Sequence, residues 1–252
     1  MGTPSLHIEN RIATISLERP EKANSLTQED LRQLRQCIAQ IDADPEVLVA
    51  RIVARGRHFC GGYDISSLAE LSPGAEVIEF GDVVDALENI RPVTIAAIHG
   101  GVYGGATDLC LACDFRVGVA HAEMFMPAAL LGVHYYQGGL QRYVSRLGLN
   151  AAKRLFLTAE KIDAQTMLVL GFLTEIVEPD SLAERVDALS QTIARLAPIP
   201  LLGMKKHLNR IASGTLDVDQ LEHDIARAQQ SLDLREGTLA WKEKRAPRFA
   251  GK

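Results

Sequence analysis

The stretch from Ile95 to Phe115, IAAIHGGVYGGATDLCLACDF, constrains this chain more than any other. Ile95 to Ile98 form an apolar run of strand type, His99-Gly100-Gly101 interrupts it, and a helix is predicted to begin near Gly104. Glycines at 104 and 105 let a backbone come close to a ligand with no Cβ in the way. A helix start carries unpaired N–H groups and a partial positive charge, which suits an oxygen anion. Asp108 follows Gly105 by three positions and so shares its helix face. The expectation is a developing oxyanion held at Gly105, with Asp108 facing the reacting atoms.

The remaining pattern repeats this unit. Leu6 to Leu17 alternates apolar and polar residues around Glu9-Asn10-Arg11, a hairpin signal. Pro20 breaks regular structure, and Thr27 is placed to cap a helix carrying Leu31, Leu34, Ile38 and Ile41. Val47 to Ala54 reads as a buried strand that runs into Gly61-Gly62. A helix start is predicted over Ile65 to Leu71, a mobile loop at Ser72-Pro73-Gly74, and an amphipathic helix over Val77 to Ile90. Phe115 to Val119 is a further strand, Met124 to Gln141 is loop-like, and helical spacing returns through Val144–Leu147, Ala151–Leu157 and Ala164–Leu170. Leu173 to Val177 is the last short strand; after Pro179 the pattern is helical throughout. Alternating strands and helices imply an α/β core. A helical tail of that size buries little by itself, so packing on neighbouring subunits is expected.

Charge and composition narrow the function. Net charge is −5, so no basic field favours nucleic acid or an anionic membrane. No apolar run reaches the length of a membrane span. The first residues have neither a basic start nor an apolar h-region, so a cytoplasmic location is expected. Cys110 and Cys113 form a CxxC inside an apolar run without a second ligand pair, so buried thiols are expected rather than a metal site.

Six ordered blocks resemble the crotonase superfamily, the enoyl-CoA hydratases and isomerases: ERPEKANSL, HFCGGYDI, IHGGVYGGATDL, PAALLGVHYYQGGLQR, LTAEKIDAQTMLVLGFLTEIV and AWKEKRAPRFAGK. The resemblance spans nearly the whole chain. It implies a spiral of ββα units over residues 1–195 and a C-terminal all-helical trimerisation module over 196–252. It implies an acyl-CoA thioester substrate, with no other cofactor and no metal, and a homotrimer or dimer of trimers. The thioester carbonyl would lie between the N–H groups of Tyr63 and Gly105. Lys22 and Ala23 match the early CoA-contacting segment, and Trp241 and Lys244 match terminal positions that reach the nucleotide from a neighbouring subunit.

The chain departs from the family pattern in its carboxylates. Hydratases of this family use two, one to activate water and one to protonate the α-carbon. The first position is Asp108, usually Glu, shorter by about 1.5 Å. The second falls on Ala128, which moves no proton. His134, Tyr135 and Tyr136 stand nearby, with Tyr135 the leading auxiliary catalytic candidate. Hydratase-type chemistry leads. LGVHY also resembles a segment of methylmalonyl-CoA decarboxylases, which makes decarboxylation of a malonyl-type thioester the runner-up. A CoA-ester-binding protein without chemistry is the third reading, kept open by Ala128.

Overall fold

A computed structural model describes residues 2–65 and 77–252. The helix start and loop expected within 66–76 lie outside the described residues. Strands β1 (Ser5–Glu9) and β2 (Ile12–Leu17) form the expected hairpin. Its two-residue turn, Asn10-Arg11, has φ of 50° and 68°, the left-handed turn that matches strand twist. Helix α1 (Gln28–Ala43) starts at Thr27, whose side chain accepts from Asp30 N while Thr27 N–H donates to the Asp30 carboxylate.

The main sheet runs β1-β2-β3-β4-β6-β9, with β3 Val49–Ala54, β4 Val93–Ile98, β6 Phe115–Val119 and β9 Glu175–Val177. All pairs after the hairpin are parallel. Every residue of β4 is buried, as a central parallel strand with two covered faces must be. Helix α7 (Leu182–Ala194) crosses this sheet, packing on β2, β3, β4 and β6. Helices α2 (Phe80–Asn89) and α3 (Gly105–Ala112) pack side by side, and α4 (Gln137–Leu147) packs on α3. α5 (Leu149–Thr158) and α6 (Ala164–Val169) follow. The chain ends in α8 (Pro198–Ser213), α9 (Val218–Gln229) and α10 (Leu232–Glu243).

The structure corrects two local expectations. The turn after β4 contains a short strand, β5 (Val102–Tyr103), in a second sheet with β7 (Glu123–Phe125) and β8 (Lys161–Asp163). The segment expected to be loop from Met124 to Gln141 therefore begins in strand, forms a 3-10 turn at Ala128–Leu131 and enters α4 at Gln137. Strands of two or three residues carry too little alternation to show in sequence.

A single side chain ties the early turn to the loop after β3. Residues Pro20–Lys22 form a 3-10 turn, then Ala23 and Asn24 turn left-handed, φ 51° and 54°. Asn24 is 1% exposed. Its Nδ2 donates to the carbonyls of Arg55 (2.8 Å), His58 (3.0 Å) and Phe59 (3.2 Å), and its Oδ1 accepts from Arg19 N (2.9 Å). Asn24→Ala leaves those buried carbonyls without their donor and should cost about 2 kcal/mol, read as a lower denaturant midpoint at unchanged slope.

Candidate active site

Two backbone turns meet at the end of β5. Gly61 N–H donates to Ala23 O (2.7 Å), Leu26 N–H to Gly62 O (2.8 Å), and Asp64 N–H to Leu26 O (2.9 Å). Leu26 and Tyr63 thus pair as parallel strands. In such a ladder the groups of residues 62 and 64 turn toward Leu26, and the N–H of Tyr63 turns the other way. On that other side lies the 103–105 turn: Tyr103 N–H donates to Cys60 O (3.0 Å), and Gly104 N–H donates to Phe125 O (2.8 Å). Gly62, at φ +89°, is pressed against it; a Cβ there would stand 2.5 Å from Tyr103 O and 3.0 Å from Gly105 N. Gly105 is the first residue of α3, so its N–H has no acceptor within the helix. The two turns that carry Tyr63 N–H and Gly105 N–H are therefore held against each other by hydrogen-bonded backbone rather than by side chains.

Around them stands an aromatic wall. The Phe80 ring covers Gly105, where a Cβ would lie 2.8 Å from Cζ. Phe80 is 6.0 Å from the Tyr63 ring and 6.4 Å, edge-on, from the Tyr136 ring. The Tyr63 hydroxyl accepts from Gln28 Nε2 (2.6 Å); buried Gln28 also donates to Ile78 O and accepts from Ile78 N, which anchors the segment entering α2.

Asp108 is not open to this space: it is 0% exposed. Arg142 of α4 grips both its oxygens with one edge of the guanidinium, Nε to Oδ1 (3.0 Å) and Nη2 to Oδ2 (3.0 Å). Oδ2 also accepts from the Tyr136 hydroxyl. The same guanidinium reaches Asp85 (2.9 Å) and Glu88 (2.6 Å) on α2, and Arg146 closes on Glu88 (3.0 Å). Burial opposes the charge of Arg142, but the hydrogen bond to and charge of Asp108, with those of the α2 carboxylates, hold its pKa above the ordinary guanidinium value. Asp108 is therefore enclosed, with Arg142 on both oxygens and the Tyr136 hydroxyl on one, because its helix packs against that arginine.

The other expected residues divide by place. Tyr135 stacks on Tyr136 at 4.8 Å and packs on Phe156 and Tyr143; its Oη is buried and has no hydrogen-bond partner among the described residues. Burial, then the charge of Asp108, pushes the Tyr135 phenol up. His134 is exposed, with Nδ1 on the carbonyl of Tyr135. Ala128 is 8% exposed and opens the 3-10 turn. Lys22 is exposed, and Ala23 adjoins the site through its carbonyl. Trp241, 86% exposed, and Lys244 sit at the end of α10; among the described residues no hydrogen bond or ion pair joins them to the site within one chain. Cys110 and Cys113 are buried, with Cys113 pushed up to about 12 by burial, and no group of His, Cys, Asp or Glu among the described residues has a metal-ligating arrangement. Sequence reasoning missed Arg142 and Phe80. Arg142 closes the block PAALLGVHYYQGGLQR, and its place there was the available signal.

Comparison with known proteins shows what the whole chain resembles. A family model described as enoyl-CoA hydratase/isomerase matches residues 7–252. A short-chain-enoyl-CoA hydratase of Clostridium acetobutylicum is 30% identical over 81% of this chain and 80% of its own length. A crotonyl-CoA hydratase of Syntrophomonas wolfei is 30% identical over 98% and 97%. A solved enoyl-CoA hydratase/carnithine racemase from Magnetospirillum magneticum superposes with a TM-score of 0.91 at 26% identity, covering 100% of this chain and 97% of that one.

Removing Arg142 strands the Asp108 carboxylate in the core. Arg142→Ala should lower stability by about 3–5 kcal/mol, measured by denaturant unfolding followed by circular dichroism.

Proposed function

Because the chain belongs to the enoyl-CoA hydratase/isomerase family, we propose that it binds a 2-enoyl-CoA thioester and hydrates it through an enolate held at Tyr63 N–H and Gly105 N–H. The observation that carries this reading is the convergence of those two donors, with Gly62 close enough that a Cβ would lie 3.0 Å from Gly105 N. As water adds to the β-carbon, the π electrons move onto the thioester oxygen. Preorganised donors there stabilise that charge without reorganising, and each is typically worth about 3 kcal/mol. With Ala128 at the second carboxylate position, acid/base work falls on Asp108 and on the group that touches it. The CoA moiety belongs to the substrate, so the reaction as proposed uses no further cofactor.

Lys22 and the Ala23 backbone stand at the turn proposed to meet CoA. Trp241 and Lys244 serve a neighbouring subunit in this reading. Its support is the apolar surface of the helical tail: Met204, Leu208, Ile211, Leu232, Leu234 and Trp241 are exposed, and a cavity of about 750 Å³ opens between α8, α9 and α10. Apolar exposure on that scale fits burial between copies of the chain, so we assign a homotrimer or dimer of trimers. No helix among the described residues is long and apolar enough to cross a membrane, and the cytoplasm is the proposed compartment.

Crotonyl-CoA, followed by loss of the conjugated thioester absorbance, tests the reaction. Gly62→Ala, which pushes a methyl between the donors, should lower kcat by about 10²-fold or more. Asp108→Asn should lower it by about 10²–10⁴-fold; undiminished turnover in that variant would remove Asp108 from the chemistry. Release of CO₂ from methylmalonyl-CoA with no hydration would replace hydration by decarboxylation. Light scattering should give a mass three or six times that of one chain.

A further inference from the structure

Two observations in the carboxylate cluster do not fit an acid/base residue that works directly. Asp108 is 0% exposed, and both its oxygens are taken by Arg142. Tyr136 is only half-buried, and its hydroxyl is the one other group on Asp108 among the described residues. The Tyr136 ring stands edge-on to Phe80, the ring that covers Gly105. Its place is fixed from both sides: a Cβ on Gly81 would lie 2.9 Å from Tyr136 Cδ2, and the Tyr135 ring stacks on the other face at 4.8 Å. Tyr135 itself is wedged against Gly139, where a Cβ would lie 2.3 Å from its ring and 3.1 Å from Asp108 Oδ2. The neighbouring tyrosine is thus wall, and Tyr136 is the one whose hydroxyl is bonded to Asp108 while its ring borders the Phe80 ring that covers Gly105.

We propose that Tyr136 Oη is the atom that exchanges protons with the reacting molecules, passing them to and from Asp108, while Arg142 acts as the positioning residue that fixes the carboxylate. The inference rests on the enolate chemistry proposed above. Tyr136 donates its proton to Asp108, so its oxygen lone pairs are left to accept one from water. In the first half, water forms its O–C bond to the β-carbon and gives a proton to Tyr136 Oη. Tyr136 gives its own proton to Asp108, and the double-bond electrons move to the thioester oxygen. In the second half the chain runs backward: Asp108 returns the proton to Tyr136, Tyr136 delivers one to the α-carbon, and the enolate electrons form the C–H bond. One water is consumed, and the residues end as they began. Burial and then the charge of Asp108 raise the Tyr136 pKa, so the phenol is the resting form in which the chain starts. A single relay serving both halves accounts for an alanine at 128.

Tyr136→Phe keeps the ring and its packing and deletes only the relay atom. Hydration of crotonyl-CoA and exchange of the α-protons of butyryl-CoA in D₂O, followed by NMR, read its two halves separately. The expected result is a loss of about tenfold or more in kcat and in exchange rate, with KM within about threefold of wild type. Because the two groups act in series, Tyr136→Phe combined with Asp108→Asn should be no slower than about the slower single variant. A smaller loss in Tyr136→Phe, or losses that multiply in the double variant, overturns the relay and leaves the acyl-CoA reading intact. A wild-type protein that neither hydrates crotonyl-CoA nor exchanges butyryl-CoA overturns that reading, and the relay with it. Circular dichroism and thermal melting of each variant separate a chemical loss from a folding loss.

Discussion

The grip of Arg142 on Asp108 organises the charged half of the candidate site. A guanidinium that is 2% exposed sits among three carboxylates from two helices and draws α2, α3 and α4 to one point. Taking such charges out of water costs several kcal/mol for each ion, and only good geometry offsets it. Here the geometry is a two-pronged fork on Asp108, with the remaining donors directed to Asp85 and Glu88. Stability alone does not call for this arrangement, since apolar residues of similar volume would fill the space at no such cost. It does give a carboxylate with one fixed orientation, one turn of helix from a backbone donor.

The other half is built from main chain. Gly62 at φ +89° brings the 61–63 loop against the 103–105 turn. Parallel pairing of Leu26 with Tyr63 and of Cys60 with Val102 fixes how far each can slide. Side-chain identity hardly enters, so the tyrosine side chain at 63 leaves the donor pair in place. Its hydroxyl is taken up by Gln28, away from the N–H that matters.

The α/β class and most helix positions were legible because their periodicities are long. Thr27 with Asp30 announced the start of α1, and the apolar run at Ile95 to Ile98 announced a central strand. Gly104-Gly105 marked the helix start to within one residue. The second sheet was not legible, since β5, β7 and β8 hold too few residues for a pattern and depend on partners 22 to 40 positions away. The site was half legible for the same reason. Asp108 shows in the sequence as a carboxylate after a helix start. That an arginine 34 residues later would enclose it follows only from the packing of α3 on α4. Tyr135 and Tyr136 are adjacent in the chain, and nothing local separates them. The structure does so by turning one into the wall and the other onto the carboxylate.

The turn at Ala23-Asn24 acts as a ruler. The Ala23 carbonyl receives Gly61 N–H at 2.7 Å, and Asn24 holds three carbonyls of the same loop. The segment that would meet the carrier end of a thioester and the donor that would meet its carbonyl are thus spliced into one rigid piece of backbone. The span between handle and reacting bond is set before any acyl group is chosen. Side chains around the acyl group that do not hold Arg142, Asp108 or the backbone donors are then free to vary over evolution, changing which acyl groups fit while the measure of the carrier stays constant.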